Sequence, residues 1–347
     1  MSRRPGRALA LLMVLAAGLG VGACTAGEYA PTPLYTSTPS SSQSSPQSSS
    51  HSASPSRSPR PSPTGTGIVS TNCMPSYAPP DTMPTPGQMP PGSYMSAIQK
   101  RGYLIAGVSA DSLLLGARNP ATNQIEGFDI DMLHAVSQAI FGDPNKITPK
   151  VIIATEREKV LKDGKVDIVA RAMTITCDRW ENIAFSSEYY RSAQKVLVRK
   201  GLTADSGAPI KGLKDLAGKK VCAPNGTTTM KTLRTFKNVE AVGADTHTGC
   251  LVLFQRGAVD AITGDATVLA GLASQDPYAD IVQAPAFTAE PYGLAVNQKH
   301  VDFVRFVNGV LADMRADGRW TKSYNTWLAD SLGKAPAPPQ AVYGRAQ

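Results

Sequence analysis

Apolar and polar residues change period repeatedly along residues 98–330. Tyr103–Val108 is a short apolar run and reads as a strand. Gly127–Asp131 then opens a helix, whose Met132, Leu133, Val136, Ala139 and Ile140 recur on one face of a 3.6-residue period. Asp129 and Asp131 suit its positive N-terminal end, and Gly142 suits its close. Lys150–Ala154 is the next strand. Thr155–Glu158 has the form of a capping box that opens a further helix, and Gly164 ends it. Asp167–Ala170 is apolar again. This β-α-β-α-β rhythm predicts a parallel sheet with helices on its faces, in the α/β class.

Gln194–Val198 is another strand, and after a junction rich in Gly and Pro (201–209) the pattern restarts. Lys219–Ala223 is a strand, Pro224–Thr229 a turn, and a helix begins near Met230. A short helix over Gly249–Arg256 precedes the strand Val259–Thr263. Gly264 and Asp265 follow at its carboxyl end, then a helix over Ala266–Ser274. Glu290–Val296 is a strand, and Val301–Leu311 and Trp320–Leu328 are helices with apolar stripes. Trp320, Tyr324 and Trp327 read as core. The restart divides the head into two lobes, and residues 333–347 form a Pro-rich tail.

The N-terminus has a different character. Arg3, Arg4 and Arg7 precede an apolar stretch, Ala8–Val21, too short to span a bilayer comfortably. Residues 1–23 are expected to be a secretory signal peptide. Val21-Gly22-Ala23-Cys24 resembles a bacterial lipobox, which implies lipidation of Cys24 and a membrane anchor on the extracytoplasmic face. Residues 24–97 are rich in Ser, Pro and Thr and poor in apolar residues, so a disordered stalk is expected, open to O-glycosylation. As a flexible coil of about 70 residues it would span roughly 40–50 Å.

Three of the +8 formal charges are the leader's arginines, which leaves +5 on the exported head. Its Lys and Arg are scattered, without a basic stripe, and nucleic acid is not expected as a partner. Four cysteines remain after Cys24: Cys73, Cys177, Cys222 and Cys250. An oxidising compartment suggests two disulfides, with three pairings open. Cys222 and Cys250 fall in one lobe segment, which favours that pair and leaves Cys73–Cys177. The spacings match no zinc pattern, and neither a metal nor a cofactor is expected.

Ligands of parallel sheets sit beyond the carboxyl ends of strands. There the strand ending at Ala170 runs into a loop carrying Thr174 and Thr176, with Arg179 five residues after Thr174. Free N–H groups, a hydroxyl and a planar guanidinium can together hold a small carboxylate. Gly226-Thr227-Thr228 at a helix start offers N–H groups and the positive dipole end. Asp265 either caps its helix or faces the cleft as an ammonium acceptor.

The motifs Gly127-Phe128-Asp129-Ile130-Asp131, Gly164-Lys165-Val166-Asp167-Ile168, Met173-Thr174-Ile175-Thr176 with Arg179, Phe185–Tyr190, Leu216–Val221 with Gly226-Thr227-Thr228, and Val259-Asp260-Ala261 with Asp265 occur in a familiar order. The chain resembles the family 3 extracellular solute-binding proteins, the polar amino-acid receptors of ABC importers, most of all the actinobacterial glutamine/glutamate-binding lipoproteins. The resemblance covers about residues 98–330. It implies a periplasmic-binding-protein-like type II fold, with lobe 1 at 98–198 and 285–332 and lobe 2 at 199–284. It implies crossovers near Arg199 and Ala284 and ligand capture by lobe closure in a monomer. It also implies that Arg179 grips the α-carboxylate with Thr174 and with backbone N–H groups at Thr227 and Thr228. Asp265 and the Ala172 carbonyl would accept the α-ammonium.

The chain departs from the glutamine-receptor pattern at three places. Pro224 stands where the pattern has a Lys, Ser109 replaces an Asp, and no aromatic clamp accompanies Ala154. Arg157 and Arg171 remain. Arg171 falls within the central strand, and a basic residue inside an otherwise apolar strand needs a partner. A side-chain carboxylate of the ligand would serve, favouring glutamate or aspartate over glutamine or asparagine. The competing partner is an internal one, Glu156, Glu158 or Asp111. Delivery to an ABC permease is the leading reading, and a sensor passing its ligand state to a transmembrane partner is the alternative. An enzyme is not expected: Glu188 and Asp265 are the only plausible cleft carboxylates, and no nucleophile–base pair is apparent.

Overall fold

The computed structural model describes residues 73–346. Cys24, the leader and most of the stalk lie outside the described residues. Helix α1 (Tyr94–Arg101) leads into strand β1 (Leu104–Val108). A small antiparallel sheet follows, of β2 (Asp111–Ser112), β3 (Gly116–Arg118) and β4 (Ile125–Glu126). Then come α2 (Phe128–Phe141), β5 (Ile147–Val151), α3 (Arg157–Lys162) and β6 (Ile168–Ala170). β1 pairs in parallel with both β5 and β6. The apolar stripe of α2 explains its placement: Met132, Leu133, Val136 and Ile140 are fully buried in the core beneath this sheet.

Helix α4 (Cys177–Trp180) and β7 (Ala184–Phe185) follow, and β8 (Tyr190–Ser192) leaves the lobe. The second lobe holds β9 (Gln194–Arg199), β10 (Lys220–Pro224), α5 (Thr228–Leu233), β11 (Glu240–Ala244), α6 (His247–Gln255), β12 (Ala261–Asp265), α7 (Ala266–Ala273) and β13 (Ala279–Ile281). Its sheet runs β11-β10-β12-β9-β13. The chain returns through β14 (Glu290–Tyr292), which pairs antiparallel with β8. β15 (Ala295–Val296) then inserts between β6 and β7, completing the order β5-β1-β6-β15-β7. Helices α8 (Val301–Ala316), α9 (Arg319–Trp327) and α10 (Ala329–Leu332) complete the first lobe. Trp320 and Tyr324 are buried there.

Several boundaries differ from expectation. The strands that cross between lobes are β8 and β14, so the lobes part near residues 193 and 289, not at 199 and 284. β9 belongs to the second sheet, where it pairs with β12 from Val198–Ala261 to Gln194–Asp265. Strand periodicity says nothing about which sheet a strand joins. The stalk does not extend to residue 97. From Cys73 onward the segment is packed: Ser76 and Met89 are buried, and the Ser76 hydroxyl donates to the Phe185 carbonyl at 2.7 Å. Sparse anchors among prolines hold it, and average composition hides such anchors. Part of the expected tail is packed as well, since Tyr343 bridges Ser76 and Arg345 lies 3.6 Å over the Trp180 ring.

Strand β5 begins at Ile147 rather than Lys150. The cap of the following turn lies earlier than Thr155–Glu158: the Glu156 carboxylate accepts the Ile153 N–H at 2.9 Å. β11 went unanticipated because it is an edge strand with Glu240, Ala241 and Gly243 exposed. The disulfides are Cys73–Cys177 and Cys222–Cys250, the favoured pairing, with Cα–Cα separations of 5.2 and 5.6 Å.

Candidate functional site

The carboxyl ends of β6 and β12 face one cavity between the lobes, of about 30 Å³. That is room for about two water molecules, so the lobes stand closed on each other. All eight residues singled out from the sequence line it: Arg157, Arg171, Ala172, Thr174 and Arg179 from the first lobe, Thr227, Thr228 and Asp265 from the second. Cross-lobe hydrogen bonds close its rim. Thr228 and Thr174 hydroxyls both donate to Glu290 Oε2 at 2.7 Å, and Lys231 pairs with Asp178 at 2.8 Å.

Arg179 rides on α4, whose first turn is capped by the Thr176 hydroxyl. Its Nη1 donates to the Thr174 carbonyl at 2.6 Å, its Nη2 reaches the Gly226 carbonyl at 3.4 Å, and Glu158 lies 3.8 Å from Nε. Burial pulls its pKa down, while Glu158, Glu290 and Asp265 pull it up. Thr227 caps α5 through its hydroxyl, which accepts the Met230 N–H at 3.0 Å. Asp265 makes no side-chain cap bond to α7. Its Oδ2 accepts the Tyr292 hydroxyl at 2.6 Å, and its buried Oδ1 has no partner among the described residues. Burial and then the Glu290 charge push its pKa up to about 8, against Tyr292, Arg157 and Arg179.

Arg157 forms none of the internal ion pairs weighed from the sequence. Its guanidinium donates to the carbonyls of Ala154 at 2.9 Å, Arg171 at 3.3 Å, Ala172 at 3.4 Å and, across the cleft, Gly226 at 3.1 Å. The loop after β6 and the turn before α5 converge on it, and carbonyls take up its donors. Arg171 donates its Nε–H to the Ile152 carbonyl at 2.8 Å, and its Nη groups make no hydrogen bond among the described residues. Glu188, once a candidate cleft carboxylate, instead pairs with Arg191.

Three further residues belong to the site. Asp129 accepts the Ala172 N–H at 2.8 Å and the Tyr189 hydroxyl at 2.6 Å, and burial raises its pKa to about 6. It thereby holds Ala172 at φ 41°, a left-handed conformation that turns the loop toward the cavity. Glu290 knots the hinge to both lobes. His247, at the start of α6, borders the cavity. The sequence signal for Asp129 was its helix-start position, which capping alone explains. Glu290 and His247 carried no signal that separates them from ordinary surface residues.

A hinged pair of α/β lobes around a polar cavity, crossed twice by the chain, defines the type II class of extracytoplasmic binding proteins. A profile of the bacterial extracellular solute-binding proteins, family 3, matches residues 104–330, and the chain belongs to that family. It is 32% identical over 239 residues to the ABC transporter glutamine-binding protein GlnH of Bacillus subtilis (strain 168), covering 68% of this chain and 85% of that one. It is 29% identical to the glutamate-binding protein GluB of Corynebacterium efficiens, covering 73% and 86%. The solved solute receptor for L-cysteine of Neisseria gonorrhoeae superposes with a TM-score of 0.64 at 25% identity, covering 69% of this chain and 95% of that one.

Proposed function

We propose that this chain captures a polar amino acid by lobe closure and presents it to an ABC importer, tethered through a lipidated Cys24. Glutamate and aspartate are favoured, with glutamine and asparagine admitted. One observation carries the reading: a buried guanidinium, a helix start capped by Thr227 and a carboxylate oxygen with no partner among the described residues line one small cavity. That is the complement of a zwitterion. Arg179 with the N–H groups at Thr227 and Thr228 would take the α-carboxylate. Asp265, with the Ala172 carbonyl, would take the α-ammonium, and Thr174 would align the acid end. The named relatives, a glutamine- and a glutamate-binding protein, support this class of ligand.

The preference for an acidic side chain rests on charge. Arg157, Arg171 and Arg179 line the cavity against Asp129 and Asp265. With the zwitterion's two ends matched, Arg171 keeps donors that have no partner among the described residues, and a second carboxylate would neutralise it. Calorimetry with the common amino acids tests the reading. Micromolar binding, about −8 kcal/mol, is expected for glutamate or aspartate. Binding of none of the set would end the proposal, and tighter binding of cationic amino acids would end the acidic preference.

A further inference from the structure

Strand β14 carries Glu290 through the crossing between the lobes, where the residue is buried. A buried carboxylate needs donors. Those among the described residues are threonine hydroxyls: Thr288 donates to Oε1 at 2.8 Å, and Thr174 and Thr228 both donate to Oε2 at 2.7 Å. A hydroxyl has a single proton to give. Both protons go to Oε2, so one oxygen is the point where a hydroxyl of the first lobe meets a hydroxyl of the second. Tyr292, on the same strand, donates its hydroxyl to Asp265 at 2.6 Å. The crossing strand thus touches the second lobe beside two groups of the binding cavity.

The two halves of the Glu290 knot are not equivalent. The loop that carries Thr174 is laced to β14 through its backbone. The Ile175 N–H donates to the Pro291 carbonyl at 2.7 Å, and the Gly293 N–H to the Met173 carbonyl at 3.0 Å. Thr174 and Glu290 are therefore fastened together on the first-lobe side. Thr228 opens α5 in the second lobe. Its bond to Glu290 is the part that separation of the lobes must break. The nearby cross-lobe pair Lys231–Asp178 is exposed at both ends, where an ion pair contributes little. A hydroxyl bonded to a buried carboxylate contributes more, because the acceptor is ionised and no water competes for it.

We propose that Glu290 is a positioning residue for closure. Its Oε2 is the clasp by which the crossing strand holds the start of α5, and with it the N–H groups at Thr227 and Thr228, against the first lobe. The clasp touches no part of the ligand, so it acts on every ligand alike and acts in the empty protein too.

The test compares the unaltered full chain with Glu290→Ala, Glu290→Gln and Thr228→Val. Thr228→Val removes one hydroxyl and keeps its backbone N–H. Hydrogen exchange is followed in the empty protein, and binding kinetics with glutamate and with glutamine. Glu290→Ala and Thr228→Val should each speed exchange severalfold in both cleft walls, residues 171–180 and 225–233, and leave α8 unchanged. Both ligands should leave Glu290→Ala about tenfold faster with little change in association rate, and Glu290→Gln, whose amide oxygen still accepts a hydroxyl, should recover part of the loss. Glu290→Gln and Thr228→Val together should cost less than their sum, since each weakens the same bond. The inference is overturned if exchange rises only in β8 and β14, which would make Glu290 a brace of the crossing strands. It is also overturned if Glu290→Ala affects glutamate and glutamine unequally, which would make Glu290 a ligand contact. The ligand arm rests on the amino-acid reading. Absence of amino-acid binding to the unaltered chain would overturn that reading alone, and exchange in the empty protein would then decide the clasp.

Discussion

Arg179 and Asp265 are held by opposite means. The guanidinium is braced by carbonyls, whereas one oxygen of the carboxylate has no partner among the described residues. Arg179→Ala should therefore cost amino-acid binding about 2–5 kcal/mol, and Arg179→Lys most of that, because an ammonium cannot reproduce the planar fork. Titration calorimetry would measure both. Asp265 predicts a pH effect whose sign follows from its raised pKa. In the folded protein the carboxyl keeps its proton up to about pH 8, while the unfolded chain releases it near 3.8. The folded state binds the extra proton, so this contribution to stability falls as pH rises from about 4 to 8. Asp265→Asn should flatten that slope in denaturation series across the range. Binding an ammonium ionises the carboxyl, so capture at pH 7 should release protons, visible as a dependence of the binding heat on buffer ionisation enthalpy. An unchanged heat across buffers would contradict the assignment. Arg179 and Asp265 were legible because each ends a periodic element with a residue type suited to one charge. The φ of Ala172 was not, because Asp129 imposes it from 43 residues away in the chain.

At the scale of elements, α4 is where the two ends of the described chain converge. Cys73 bonds to Cys177 at its first position, Trp180 at its last donates to the Cys73 carbonyl at 2.8 Å, and Arg345 covers the same indole. The helix has only four residues and would not hold its shape alone. The two disulfides close spans of 104 and 28 residues. In the chain-entropy account these stabilise by about 4.7 and 3.6 kcal/mol. The Cys73→Ser/Cys177→Ser variant should thus lose more stability in urea than Cys222→Ser/Cys250→Ser. It alone should also weaken ligand binding, since only it loosens the helix that carries Arg179. Equal binding by both variants would separate α4 from the N-terminal brace. Helices α2, α8 and α9 were visible through their stripes. β11 and the packed segment before α1 were not, because edge strands and proline-rich braces lack a continuous apolar pattern.

Closure of the whole molecule depends on close approach between the lobes. Gly271 lies within α7, and a Cβ there would stand 2.6 Å from the backbone oxygen of Leu113 in the other lobe. Gly271→Ala improves helix propensity by up to about 1 kcal/mol, so the unliganded protein should melt no lower. It should nevertheless bind amino acids more weakly and keep a larger radius of gyration with ligand in X-ray scattering. A normal affinity would mean that the hairpin yields and that closure does not need this contact. The order of strands, helices and motifs was written in local periodicity, and with it came the α/β class, two lobes and the residue types at each strand end. Those are properties of single segments: one apolar run, one cap, one charge after a strand. Which strands cross between lobes, which carbonyls absorb Arg157, and which further residues join the site depended on contacts between segments far apart in the chain. Only the packed lobes bring Asp129 and His247 to the cavity and Glu290 to the Thr174 and Thr228 hydroxyls, because burial against another element, not local sequence, decides where those side chains end.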